Sequence, residues 1–498
     1  MYFLSKNGFK FSKKTSILLA FLYTLTPKVA AYLEAGHVGL VYSVAWIPWI
    51  LLSVILTRTK PNLKLSIIYS IALALLYFSH LPTFLIIAAA SVLFITKKSF
   101  VYFLAGAVLT FGLISISFLP QITWQKESTR YLLLESKDVY PKWESKIEAV
   151  KAIFIPNMNT EKAIVIGFIP GALAFLGFLK LKRKHKVLAV LFVVTVGLII
   201  LNNTSPIYSL LLKQDWYLLL RVSTRFWILV SLLSLYLIGL ALEKYRSKIV
   251  YILALLAVFE SLLGGTKFLS KPVIKNPNLA SKEVYEYLSK DKSNFRVYCL
   301  SRCLSQRESA TYGLELLDGY STVQQKNFYQ HAWQLTGTYW NHYTLAVPPF
   351  GADTKNPDLK SLGEYNVKYI ISNTPITSRD LILKEKIDQY LIYENKLSKS
   401  RDYEIYTPNH IKVNIEKPTG QIVLPEVYSP GWVAYLNGDM IVPVLETPSA
   451  LRAVDTLPDT EWVDLKYEPD SLKKGKYITL TTLLILAGYG FSIIFRIK

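Results

Sequence analysis

Two pairs of residues in this chain have the types and the spacing for chemistry. Glu34 and His37 lie three apart in the polar link Glu-Ala-Gly-His between two apolar runs. On a helical stretch they share a face, where they could act as a general base with its orienting partner or as two metal ligands. The competing reading is a hairpin tip satisfied by interfacial water, because charged and imidazole groups wedged between hydrophobic spans are costly without water, a partner or a ligand. His80, in Ser79-His80-Leu81-Pro82, marks the tip of the next predicted hairpin and could converge with them or serve only the turn.

Arg221 and Arg225, four apart, form the second pair, with Asp215, Trp216 and Trp227 nearby in sequence. Guanidinium groups at helical spacing suit a phosphate, which they grip through a planar fork, and at a membrane surface that phosphate belongs to a lipid carrier. Ordinary snorkelling towards headgroups, with Trp as a belt residue, is the alternative. Tyr428 and Trp432 flank Ser429-Pro430-Gly431. Exposed, they could stack on a sugar; buried, they are core. Cys299 and Cys303 are two thiols or a local disulfide, and one such pair cannot complete a zinc site without other ligands. The sequence holds no Gly-rich phosphate loop, nucleophile elbow, HExxH or paired Cys-x2-Cys motif. Chemistry therefore rests on scattered polar groups, and a divalent metal would have no dedicated motif.

Those groups must be positioned by membrane helices. Of the 498 residues 52% are hydrophobic and only 18% charged, and the apolar residues cluster in runs. A membrane helix needs roughly 20 mostly apolar residues. Ten spans are predicted, at 15–33, 38–56, 65–79, 82–96, 99–119, 162–179, 187–203, 225–243, 249–266 and 477–495. The net charge of +21 invites a nucleic-acid reading, but many of the Lys and Arg residues sit in short links between apolar runs, where they set topology instead. With the N-terminus cytoplasmic, every inner link is basic, and the alternate links mix signs or carry little charge. Both termini are therefore expected in the cytoplasm of a multi-pass plasma-membrane protein. No small-x-small cleavage pattern precedes Pro27, so no cleavable signal peptide is expected.

The expected organisation is a nine-helix membrane domain over 1–266, an extracytoplasmic α/β part over 267–408, a β-sandwich over 409–476, and a last helix from 477 to 498. Helical patterns such as SKEVYEYLSK and LKSLGEYNV precede short strands, FRVYC and KYIIS, in the α/β part. Beyond 410 the pattern is all β, and Asn437-Gly438 signals a hairpin because both turn positions need positive φ. The segments 120–161 and 206–221 read as amphipathic helices lying against the bilayer or the outer domain.

The stretch LPEVYSPGWVAYLNG, followed by KYEP and a last apolar run, resembles the C-terminus of YfhO-like membrane proteins, as does YNVKYIIS. The link ending in AGH, the AWIPW run after it and the Arg-x3-Arg-Phe of 221–226 resemble the related membrane family named for a 6-pyruvoyl-tetrahydropterin-synthase-related domain. Those families are similar in architecture to GT-C glycosyltransferases, which take sugar from a polyprenyl-phosphate carrier on the outer face. The resemblance implies that Arg221 and Arg225 hold the carrier phosphate and that the outer domain presents or recognises the acceptor, an envelope glycan or glycoprotein; in a transfer of that kind Glu34, with His37 or His80, would deprotonate the acceptor. It also implies a chain that corresponds to the family pattern without its first helices and first outer loop, where the pattern places an acidic group: either the reading frame starts late, or the module is reduced and non-catalytic, or Glu34 stands in for that group. Membrane lipid, a lipid-linked sugar and a glycan are the implied partners. The second reading from the same residues is a non-catalytic envelope or assembly protein whose outer domain binds glycan or a partner.

Overall fold

The computed structural model describes the chain except for residues 138, 157–158, 271–278, 322, 338–345, 348–356, 401, 417–419 and 498. The protein is a polytopic α-helical membrane protein that also carries a β-rich unit. It falls into two compact units, 1–116 with 137–273 and 475–498, and 117–136 with 274–474.

Among the described residues, five helices are long and apolar enough to cross a membrane: Lys13–Glu34, Val38–Thr59, Phe100–Gln125, Ser223–Tyr245 and Lys248–Leu269. Shorter apolar helices are Leu63–Ser79, Leu81–Val92 and Phe168–Leu179. Arg183–Ile200 and Asp470–Ile497 complete the set, so every stretch predicted as a span contains helix. The first of them is interrupted. Lys13–Thr24 stops, and Pro27, whose fixed φ suits the first helical turn, restarts the chain as Pro27–Glu34. The predicted span at 162 becomes helical only at Phe168, because Gly167 turns with φ +97° and the Glu260 carboxylate caps the new helix, accepting from the Phe168 and Ile169 N–H groups at 2.7 and 2.9 Å. Glycine lets these helices meet closely. A Cβ on Gly177 would stand 1.8 Å from the Leu237 carbonyl oxygen, so only hydrogen fits at that crossing.

The second unit contains two large sheets. The first takes β1 (Arg296–Cys299), β2 (Glu315–Leu316), β5 (Val367–Ser372), β6 (Leu381–Ile387) and β7 (Tyr390–Asn395) in the order β2-β1-β5-β7-β6. The small pair β3 (Gly319–Tyr320) and β4 (Ala346–Val347) lies apart from it. β1 pairs in parallel with β2 and β5, while β7 pairs antiparallel with β5 and β6. Helices Lys282–Leu288 and Leu359–Glu364 precede β1 and β5, as the alternating pattern predicts.

The second sheet comprises β8 (Tyr403–Thr407), β9 (His410–Asn414), β10 (Gln421–Val427), β11 (Trp432–Leu436), β12 (Met440–Glu446), β13 (Leu451–Asp455) and β14 (Trp462–Tyr467). Its order is β10-β13-β12-β11-β14-β9-β8, antiparallel throughout. β12 changes partner midway: Met440 to Pro443 pair with β11, and Val444 to Glu446 pair with β13. One curled sheet therefore wraps its own core of Ile411, Leu424, Ala434, Val454 and Val463, in place of two separate layers. β8 lies inside 267–408, the stretch expected to be α/β, but pairs here with β9. Asn437 and Gly438 both take positive φ, at 49° and 91°, and the Asp439 N–H donates back to the Leu436 carbonyl.

Candidate functional site

Within the first unit, three pieces of irregular backbone converge: the 34–37 link, the 159–161 turn and the 221–225 segment. Hydrogen bonds fix them together. Thr160 Oγ1 donates to Glu34 Oε2 at 2.5 Å, Lys28 Nζ donates to the Thr160 carbonyl at 3.0 Å, and Thr224 Oγ1 donates to the Glu161 carbonyl at 2.7 Å. The 221–225 segment is in turn bridged to Tyr140, whose N–H donates to the Arg221 carbonyl at 2.8 Å and whose carbonyl accepts from Ser223 at 2.9 Å. Arg221 is held at φ 56° and ψ −43°, a strained conformation for a residue with a Cβ. Such outliers persist only where surrounding contacts enforce them, and they concentrate at functional sites.

The centre of the cluster is Glu161. Its Oε1 lies 3.1 Å from His37 Nε2, and its Oε2 is buried without a hydrogen-bond partner among the described residues. Burial would raise the Glu161 carboxyl, but the His37 hydrogen bond and the charges of Lys28 and Arg225 outweigh it and hold the group below the usual carboxylate range. Lys28 is buried and its ammonium stands 4.8 Å from the centre of the Tyr32 ring. Tyr32 also meets the His37 ring edge to face. Arg225 lies within electrostatic range of Glu161, Lys28 and Arg221. Its Nε is buried without a hydrogen-bond partner among the described residues, and the same is true of Trp227 Nε1. Two cations, Lys28 and Arg225, thus act on one carboxylate that is already engaged by a histidine, and Arg221 adds its charge beside Arg225. A narrow apolar cleft begins at Lys28 and Tyr32 and continues between Val29, Val44, Ile166 and Trp227.

The structure accordingly brings Glu34, His37, Arg221 and Arg225 into one neighbourhood and adds Lys28, Tyr32, Thr160 and Glu161. Lys28 and Glu161 were missed from sequence. One signal could have found Lys28, a lysine at the presumed outer end of a span, against the basic-inside trend. Glu161 had only its place as the last acid before an apolar run. Three other assignments fall differently. His80 caps a helix: its Nδ1 accepts from the Thr83 N–H at 3.2 Å and lies 2.8 Å from the Thr83 hydroxyl. Trp432 is buried in the core of the curled sheet at 9% exposure, with the Arg452 guanidinium 3.9 Å from its ring centre, so it offers no face to a sugar. Tyr428 packs half-buried against the same core. Cys299 and Cys303 are joined by a disulfide that starts from the last residue of β1. Among the described residues, no three of His, Cys, Asp and Glu are grouped to hold a metal.

No family model and no curated protein matches the chain. Among solved structures it is similar to the mycobacterial arabinofuranosyltransferase AftD, determined by single-particle cryo-electron microscopy, with TM-score 0.41 and 11% identity over 81% of this chain and 32% of that one. A mutant form of the same enzyme gives 0.42 and 13% over 82% and 34%. The chain spans about a third of the length of those structures.

Proposed function

We propose that the protein is a GT-C-like membrane glycosyltransferase that moves sugar from a polyprenyl-phosphate carrier to an envelope glycan or glycoprotein on the outer face. Its termini are cytoplasmic and its β-rich unit extracytoplasmic in this reading. The observation that carries it is the buried, unpartnered Arg225 Nε, close in charge to Lys28 and Arg221, beside a cleft that suits an isoprenoid tail. Cations held close to one another repel, and an anion relieves that cost.

In the reaction, an acceptor hydroxyl attacks the anomeric carbon of the donor. The bond from that carbon to the phosphate oxygen breaks, and the electron pair leaves with the polyprenyl phosphate, whose charge Arg225, Arg221 and Lys28 neutralise. The acceptor proton passes to His37 Nδ1, because His37 Nε2 is committed to Glu161, which orients the ring. Glu34 supports the loop through Thr160. No step is routed through a metal.

The test is transfer and binding by the full chain in nanodiscs, with polyprenyl-phosphate-linked pentose and hexose as donors. Arg225→Ala is expected to abolish donor binding with the fold intact, and Glu161→Gln to lower turnover by about 10²–10⁴-fold with binding retained. Failure of the unaltered protein to bind either donor would sink the reading. Binding without turnover in any condition would favour the second one, a non-catalytic envelope protein.

A further inference from the structure

The curled sheet has a second face, opposite its core, and its register can be followed strand by strand. Lys412, Asp464, Tyr435 and Ile441 form one row across β9, β14, β11 and β12. His410, Lys466, Val433 and Pro443 form the next. Trp462 begins β14 opposite Asn414 and lies diagonal to Tyr435 on the same face, a separation of roughly 7–8 Å in such a ladder. Both rings are half-buried, and each has a lysine ammonium over it, Lys412 over Trp462 at 5.3 Å from the ring centre and Lys466 over Tyr435 at 5.1 Å. Ile441 is 66% exposed.

Two further features set the chemistry of this face. Its charges are already paired: Lys412 with Glu404 at 2.8 Å, Lys466 with Asp464 at 3.1 Å, and His410 Nε2 with Asp464 at 2.5 Å. A surface whose cations hold their own counterions has little to offer a polyanion or an acidic lipid surface. The second feature is a groove of about 630 Å³ that the platform runs into, since Val433 belongs to both. Leu119, Ile122, Pro430, Glu468 and Lys474 line it, and Glu468 is paired with Lys473 at 2.7 Å.

We infer that this groove and platform bind an uncharged oligosaccharide, with Trp462 and Tyr435 as stacking rings and the paired side chains of His410, Asp464 and Lys466 hydrogen-bonding its hydroxyls. Half-buried aromatic rings among fixed donors and acceptors, with no net charge to satisfy, match a ligand that is apolar on its ring faces and polar at its edges. The site takes the role that the sequence suggested for Tyr428 and Trp432. It rests on the proposed function only in expecting a glycan, and binding can be read without any transfer activity.

The experiment is saturation-transfer NMR on the full chain in nanodiscs, with arabinohexaose, mannohexaose and maltohexaose as probes and heparin as the anionic control. At least one neutral hexaose is expected to bind, with little change between low and high salt. Trp462→Ala and Tyr435→Ala are each expected to weaken it about fivefold or more, while Trp462→Phe, which keeps a ring, retains most of the binding. Thermal unfolding of each variant separates lost contact from lost fold, and Tyr435→Ala provides the reading if Trp462→Ala does not fold. Three results would overturn the inference: no hexaose binding, binding unchanged in both alanine variants, or heparin or a second copy of the chain as the occupant those variants lose. Transfer that fails while hexaose binding persists would count against the proposed function and leave this site standing.

Discussion

Each unit of the molecule holds a half-buried arginine, and the two arrangements are opposites. In the second unit Arg296 is satisfied on every side. Its Nη2 donates to Glu426 at 2.8 Å, its Nε lies 3.3 Å from Glu315, and its Nη1 donates to the carbonyls of Tyr365 and Pro425. Tyr406 donates to the Glu426 carboxylate at 3.0 Å, so the network links the two large sheets. In the first unit Arg225 has a buried Nε without a partner, two cations for neighbours and one carboxylate that is shared with a histidine. The first pattern is how a fold holds a charge it needs for structure. The second leaves binding capacity unspent, which is a poor arrangement for stability and a useful one for an anionic ligand.

Breaking this contrast gives the largest effects. Arg296→Ala leaves Glu426 and Glu315 without their cation and is expected to cost the second unit about 3–5 kcal/mol. Hydrogen exchange over β1 and β10 would read it, and a loss under about 1 kcal/mol would mean that the network is not what joins the sheets. Arg225→Leu in the first unit is expected to go the other way, leaving thermal stability unchanged or raised while donor binding is lost. A marked fall in stability would make Arg225 structural after all.

A second comparison concerns buried acids, and its effect is smaller. Glu161 is held low by the His37 hydrogen bond and its cations, but Asp318, buried beside the disulfide, is pushed up by burial to about 7 against backbone N–H groups and the Arg302 charge that favour its ionised form. The folded second unit therefore favours the protonated Asp318. Its contribution is fully present below pH 4, falls as pH rises from about 4 to about 7 and is level above. Asp318→Asn should flatten that part of the pH–melting curve; an unchanged slope would exclude Asp318 as its source. The smallest effect is expected from Glu34→Gln. Glu34 is exposed, its amide replacement still accepts from Thr160, and turnover and melting should both shift only slightly. A collapse of turnover with the fold intact would restore Glu34 as the base in place of His37 and Glu161.

The sequence by itself determined the membrane class and the helical stretches, because long apolar runs have no other stable form in a bilayer. It also determined the Asn437-Gly438 turn and the helix-then-strand order before β1 and β5, which depend on neighbouring residues alone. It drew attention to Glu34, His37, Arg221 and Arg225 through their local spacing. Only the tertiary structure decided what those residues meet. Glu161 reaches His37 across more than a hundred residues of chain, Lys28 is oriented by the Thr160 carbonyl, and Arg221 is bent by Tyr140. Pairings of that kind leave no periodic trace, since each partner sits alone in its own segment. The fates of Trp432 and Trp462 have the same cause. Both begin strands of one sheet, and only the register between those strands set the first on the core face and the second on the platform face.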